Sequence, residues 1–592
     1  MNKIKYDIMN HLFQFSYINQ RLIADFTGYS IGKVNQTLTE LKEDGYLTEQ
    51  YQLTEKALKE QERKKPKNAI ILAAGFGMRM VPINREMPKG LLEVHGEVLI
   101  ERQIRQLQEA GIQDITIVVG FMKESYEYLI DQYGVKLLVN REYGEKNNLH
   151  SLALASQKLG NTYIVPCDIW CEKNPFSQDE WYSWYMVTDL IDDESDVRVN
   201  RKLELVEVDG EKSGNTMIGI SYILDEDAMW LVPRLKEMDQ KKSYSSAFWE
   251  SALMEKGKMK VWAKVKPSAQ VCEINTYEQL REMDSNSRNL DSEILRLIAQ
   301  VLECDVEDIK DIEMLKKGMT NRSFFFQKNN QKFIMRIPGE GTDQLINRKQ
   351  EAQVYHAIQD LNLSDKIRYL NPENGYKMTE FLPGTHCCDL EDWDEIKSCM
   401  KVLRDFHHSG LRVEHTFDLY ERIEFYEGLW NGEPSCYRDY AETKEKIYEL
   451  KEYIDQQQKN WALCHIDSVP DNFLIRKDEN GKNEIHLIDW EYSGMQDTDV
   501  DIAMFAIYSM YEKEQVDMLV DAYYAEGCSR ETRLKIYCYV AVCGFLWSNW
   551  CEFKRQQGVE FGEYSLRQYR YAKEFYRYVM AEWKPDSQRK EK

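Results

Sequence analysis

The chain has 592 residues, 43% apolar and 30% charged, several times the size of one domain, so a single core and a disordered or fibrous chain are both excluded. A formal charge of −23 would repel polyanions over most of the surface, which argues against a chain devoted wholly to nucleic acid or anionic membrane and leaves room for small phosphorylated ligands held by local cations. No apolar run approaches the roughly 20 residues needed to cross a bilayer, the first 15 residues carry no secretion signal, and the 13 cysteines lack paired zinc-type spacing, so reduced thiols and a cytoplasmic location are expected.

Charged or polar joints at 61–68 and 282–291 divide the chain into three expected domains, 1–65, 67–285 and 290–585. Residues 1–65 carry short helical patterns, a turn at Gly28, a helix from Ser30 with Val34, Leu38 and Leu41 on one face, and a last helix opened by Thr54. This outline resembles a small winged helix-turn-helix. Lys33, Asn35, Gln36 and Thr37 would face a DNA groove. Residues 1–68 hold only 11 Lys and Arg against 9 Asp and Glu, so DNA binding and a purely interacting or regulatory module both stay open.

Residues 68–74 (NAIILAA) read as a buried strand running into Gly75, Phe76, Gly77, Met78 and Arg79. Glycines after a strand let backbone N–H groups approach phosphate oxygens. Pro88-Lys89, a helix from Leu99 and a strand at 115–119 follow, an alternation that predicts a doubly wound α/β sheet with ligands at the strand ends. With Asn147-Asn148 in EKNNLHSLALA and Pro166-Cys167-Asp168 closing a strand, the segment resembles the bacterial CTP:phosphocholine cytidylyltransferases of the nucleotidyltransferase superfamily. The resemblance implies that Ala74, Gly75, Gly77 and Arg79 hold the CTP triphosphate. It also implies that Lys89 neutralises the α-phosphate, that Asp168 binds Mg²⁺ and that Asn148 lies in the substrate region. Where the family has a second aspartate, this chain reads Glu273-Ile274-Asn275, so Asn275 would offer only a carbonyl oxygen, and either transferase activity is weakened or Glu273 carries more of the metal role. Phe248, Trp249 and Glu250 match an aromatic-acidic segment suited to a quaternary ammonium, or else a core-packed amphipathic stretch.

Residues 317–326 and 333–339 read as two antiparallel strands, with Arg336 mid-strand and Glu351 on the next helix, the pair by which kinases fix a cation over nucleotide phosphates. His465-x-Asp467-x4-Asn472, then Leu487-Ile488-Asp489, supplies a base, an amide for Mg²⁺ and a metal-binding acid. Trp547 and Trp550 lie three apart on one helical face and suit a trimethylammonium cage with Glu491, or core packing.

This part resembles the choline and ethanolamine kinases, relatives of the aminoglycoside phosphotransferases, which implies a bilobal protein-kinase-like domain. On that resemblance Asp467 is the catalytic base, Asn472 and Asp489 bind Mg²⁺, and His465 orders the loop. Arg336 and Glu351 position ATP, Glu380 and Leu382 form the hinge to adenine, and Tyr571 lines the alcohol pocket. The resulting expectation is a multidomain α/β and α+β enzyme that phosphorylates choline with ATP and condenses phosphocholine with CTP. The same reactions on ethanolamine, an aminophosphonate or a sugar, and a metabolite-sensing DNA-binding regulator, are the alternatives.

Overall fold

The computed structural model describes residues 1–193, 195–208, 213–315, 321–339, 345–477, 481–556, 559 and 561–584. The expected strand start at 317–320 and the end of the third expected domain at 585 lie outside these residues. The chain forms two compact units, Met1–Val306 with Ile312–Met314, and Glu307–Asp311 with Leu315–Lys592.

In the first unit, α1 (Lys3–Gln14), α2 (Gln20–Thr27), α3 (Ile31–Glu43) and α4 (Glu55–Lys64) build the winged helix. Asn19, Ser30 and Thr54 cap the last three by accepting from Leu22, Lys33 and Ala57 N–H, and Gly28 makes the turn with φ 75°. Val34, Leu38 and Leu41 are buried, as their spacing predicts. Thr37 departs from expectation: it is 2% exposed and belongs to the core side of α3, leaving Lys33, Asn35 and Gln36 outward.

The winged helix is fused to the body beside it. Trp181 fills the same apolar cluster as Tyr6, Met9 and Leu12, and its indole N–H donates to Asn10 Oδ1 at 3.0 Å. Lys64, 3% exposed, donates to Tyr6 Oη at 2.6 Å and to the Trp181 carbonyl at 3.0 Å, so its buried charge is met by oxygens from both sides.

That body is one large sheet. Lys136–Val139, Asp114–Val119, Asn68–Ala73 and Thr162–Pro166 run parallel in this order. Gly214–Ile223 then pairs antiparallel with Thr162–Pro166 and begins a mixed half, so the doubly wound pattern holds only for the first four strands. Ile71, Ile117 and Val165 point to one core; Ile70, Val118 and Ile164 point to the other, the alternation expected of a sheet covered on both faces.

In the second unit, Asn321–Lys328, Gln331–Pro338, Lys377–Glu380 and Ile367–Leu370 pair antiparallel in that order. The rest is mainly helical. Its 27-residue helix Arg530–Gln556 is buried along almost its whole length, which makes it the axis of the core. Among the described residues no helix is long and apolar enough to cross a membrane.

Candidate active sites

The first site lies at the ends of the parallel strands. Asn68–Ala73 runs into Ala74 and Gly75, then Gly77 at φ 59°, and Arg79 stands exposed on the turn Met78–Met80. A Cβ on Gly77 would meet Lys89 Cγ at 3.0 Å, so glycine is needed both for the left-handed backbone and for the close approach of the lysine stem. The Lys89 ammonium reaches Asp168 Oδ2 and Asn275 Oδ1, each at 2.6 Å. Val271–Glu273 pairs antiparallel with Ile169–Cys171, which sets Glu273 opposite Ile169 and carries Asn275 beside Asp168. Burial, and then the charge of Asp168, hold the Glu273 carboxyl above its ordinary range. Lys89, Asp168, Glu273 and Asn275, separated by up to 186 positions, therefore form one cluster of oxygens around a cation.

On the same unit, Asn148 opens a short helix and its Oδ1 accepts from the Trp249 N–H at 2.8 Å. Trp249 itself is fully buried and tilted against Tyr185 with centroids 6.1 Å apart, so it packs the core instead of walling a pocket. Phe248 is 59% exposed, whereas Glu250 is half-buried. Glu250 accepts from Tyr185 Oη at 3.1 Å, and its other oxygen, shielded from water, has no partner among the described residues. Burial pushes its carboxyl up to about 7.

The second site is built on Gln331–Pro338, on the helix Arg348–Ile358 capped by Asn347, and on the segments around 465 and 489. Arg336 holds Glu351 with both nitrogens, at 2.6 and 2.9 Å, a fork-on-fork pair whose geometry fixes both side chains. Arg348, which sequence reasoning missed, adds a bond from its Nη1 to Glu351 at 3.1 Å and one to Glu491 at 3.3 Å. Glu491 thus belongs to the arginine cluster. Tyr492 stands beside the tryptophans, its ring centroid 5.8 Å from that of Trp547, which lies 5.9 Å from that of Trp550.

Asp467 is held by Asn472, whose amide donates to its carbonyl at 2.8 Å and its Oδ2 at 3.2 Å. Burial, then the charges of Asp489 and Glu491, push its carboxyl up to about 8. Ile466 and Asp489 both sit at left-handed φ, 68° and 67°, strain that the surrounding structure must hold in place. His465 is buried, its proton affinity lowered by burial, and its Nε2 meets the Ile488 carbonyl at 2.9 Å; it ties the two loops together. Asp501, also missed, accepts from the His465 and Ile466 N–H groups at 2.8 and 2.7 Å and is itself held by His407 at 2.9 Å. Asp471 turns aside to accept from Tyr508 at 3.0 Å.

Two expectations need correction or narrowing. Tyr571 is fully buried and its hydroxyl donates to the Tyr511 carbonyl at 2.7 Å; it packs where Gly544 lets two helices approach. The Glu380 carboxylate is committed to Arg368 and, at 3.3 Å, to Lys366.

Three family models match: a MobA-like NTP transferase domain over residues 69–176, choline/ethanolamine kinase over 312–539 and winged helix-turn-helix DNA-binding over 1–48. A choline-phosphate cytidylyltransferase of Streptococcus pneumoniae is 31% identical over 226 residues, 37% of this chain and 98% of the relative. The chain belongs to the choline-phosphate cytidylyltransferase family. It is also similar to a 2-aminoethylphosphonate cytidylyltransferase of Lancefieldella rimae, 33% identical over 31% of this chain and 78% of that one. A solved choline kinase, LicA from S. pneumoniae, aligns with 48% of this chain and 100% of its own at 27% identity and a TM-score of 0.42. The protein is therefore a bifunctional enzyme, a cytidylyltransferase joined to a kinase of the choline/ethanolamine type.

Proposed function

We propose that the kinase unit transfers the ATP γ-phosphoryl group to choline, and that the transferase unit joins the resulting phosphocholine to CTP, releasing pyrophosphate. The observation that carries this reading is the pairing in one chain of two sites whose chemistries are consecutive: the phosphate ester made by one is the nucleophile required by the other. Each unit also offers a place for a quaternary ammonium. Glu250 presents an unpaired carboxylate oxygen beside Tyr185, and Trp547, Trp550 and Tyr492 gather aromatic faces.

At the kinase site Asp467 takes the proton of the choline hydroxyl as the oxygen attacks phosphorus. Arg336, fixed by Glu351 and flanked by Arg348, steadies the phosphate chain, and the Glu380 to Leu382 backbone, not the Glu380 carboxylate, meets the base. Asn472 and Asp489 provide the hard oxygen donors that Mg²⁺ favours; Mg²⁺ there would neutralise the phosphates during transfer. At the transferase site the loop from Ala74 to Gly77, with Arg79, cradles the triphosphate. Lys89 stabilises negative charge gathering at the α-phosphorus as the phosphocholine oxygen attacks. Asp168 and Glu273, with the Asn275 carbonyl, suit a divalent cation in donor type, although Asn275 lacks the second acid's charge.

Incubation with ATP, CTP and either choline, ethanolamine or 2-aminoethylphosphonate tests the proposal. Choline should give CDP-choline and pyrophosphate most rapidly; no turnover with choline or phosphocholine would overturn it. Asn275→Asp should lower the Mg²⁺ concentration that half-saturates cytidylyl transfer, because a carboxylate binds the ion more strongly than an amide.

A pH dependence follows from Glu250. Only its ionised form attracts a quaternary ammonium, and its pKa is raised to about 7, so the attraction is present above that value and lost as pH falls through it. The KM for phosphocholine should climb by up to about tenfold per pH unit below 7, with kcat much less affected. Glu250→Gln should raise KM at pH 8 and flatten that dependence.

A further inference from the structure

We propose that the protein self-associates through α2 of its winged helix, pairing it antiparallel with α2 of a second copy across a two-fold axis. Leu22 and Phe26, four residues apart and so on one face, are 44% and 56% exposed. The apolar surface continues through Ile18, 71% exposed, and Phe15, 51% exposed and 5.7 Å from the Phe26 ring. Large apolar side chains this exposed and this close together mark an interaction surface. Ile23 and Ala24, on the opposite face of α2, fill the winged-helix core, while Tyr6, Asn10 and Lys64 on α1 and α4 are taken up by contacts with Trp181. The outer face of α2 takes no part in those contacts.

The charges beside this seam choose the occupant. Arg21 and Asp25, also four apart, are exposed along one flank of the Leu22–Phe26 stripe, and neither has an ion pair among the described residues. A two-fold axis passing near Ile23 sets Arg21 opposite the second copy's Asp25, and Asp25 opposite its Arg21. The pattern is self-complementary, as an isologous contact requires. The wider electrostatics agree. The chain carries −23, but residues 1–68 hold 11 basic against 9 acidic side chains, so two copies meet with least repulsion there. A DNA backbone would find an apolar ridge and an unpaired aspartate on this face. The patch is small beside the 20 to 30 residues a side of a standard interface, so association should be weak and concentration-dependent.

Sedimentation velocity of the full chain over a rising concentration series tests this. The wild type should shift from one chain to two. Arg21→Asp or Asp25→Arg alone, each of which sets like charges face to face, should weaken the dimer at least tenfold. The double exchange Arg21→Asp with Asp25→Arg should restore it. Phe26→Ser should also dissociate it, and kinase and transferase rates should be unchanged in every variant. A single chain at every concentration, a dimer indifferent to the exchanges, or pairing seen only on added duplex DNA would each overturn the proposal.

Discussion

Asp467→Asn should reduce ATP-dependent phosphorylation of choline by about 10²- to 10⁴-fold, the range of a positioned general base. The substitution preserves shape and replaces the proton acceptor with an amide. Burial and the neighbouring Asp489 and Glu491 charges make this carboxyl a stronger base than an ordinary aspartate, up to about 8, and Asn472 holds one of its oxygens. An alcohol gives up its proton reluctantly, so basicity at that oxygen bears directly on the transition state. The loss should fall on kcat, while KM for ATP, governed by Arg336 and Glu351 elsewhere in the unit, changes little. Measured with phosphocholine supplied directly, CDP-choline formation by the same variant should match the wild type, since the cytidylyltransferase belongs to another compact unit. Equal kinase rates in variant and wild type would remove Asp467 from the role of base.

The parts of these sites that the sequence made legible are local in the chain. Asp467 and Asn472 lie within one loop, and the apolar run before Asp489 announces a strand that delivers it. Lys89 and Asp168 follow short motifs in the same way. What escaped reading depends on tertiary packing. Arg348 looks like a surface charge at a helix start until Gly375, at φ 70° and too close to the arginine for any Cβ, is seen to close over it. Asp501 sits in an apolar helix with nothing nearby in sequence to link it to the His465 loop. The Trp249 segment left a cage and a core both open, because an aromatic suits either; Gly544, opposite Tyr571, is the available sign of close helix packing there. Trp181 fills the winged-helix core from outside residues 1–65, a completion that no pattern within those residues could announce. Thr37 was placed on the outer face by its polarity, although its helical position beside Val34, Leu38 and Leu41 turns it inward.

Lys89→Met should lower cytidylyl transfer by about 10²- to 10³-fold, comparable to removing a preorganised donor that meets developing charge. The lysine stem is pressed against the left-handed backbone at Gly77, and its ammonium is fixed between Asp168 and Asn275 at 2.6 Å on each side. Methionine keeps most of the stem and deletes the charge, so the loop retains its packing while the anionic nucleophile and the α-phosphate lose the cation between them. KM for phosphocholine should stay near the wild-type value, since the head group is assigned to Glu250 and Phe248 and not to this cluster. Kinase activity, which belongs to the other compact unit, should be unchanged. Gly77→Ala gives an independent check: its Cβ would fall 3.0 Å from Lys89 Cγ on a backbone that alanine resists, so it should displace the same ammonium and lower kcat in the same direction without removing any charge. A transferase indifferent to both changes would mean that Lys89 serves the fold alone and that the charge at phosphorus is met by Arg79.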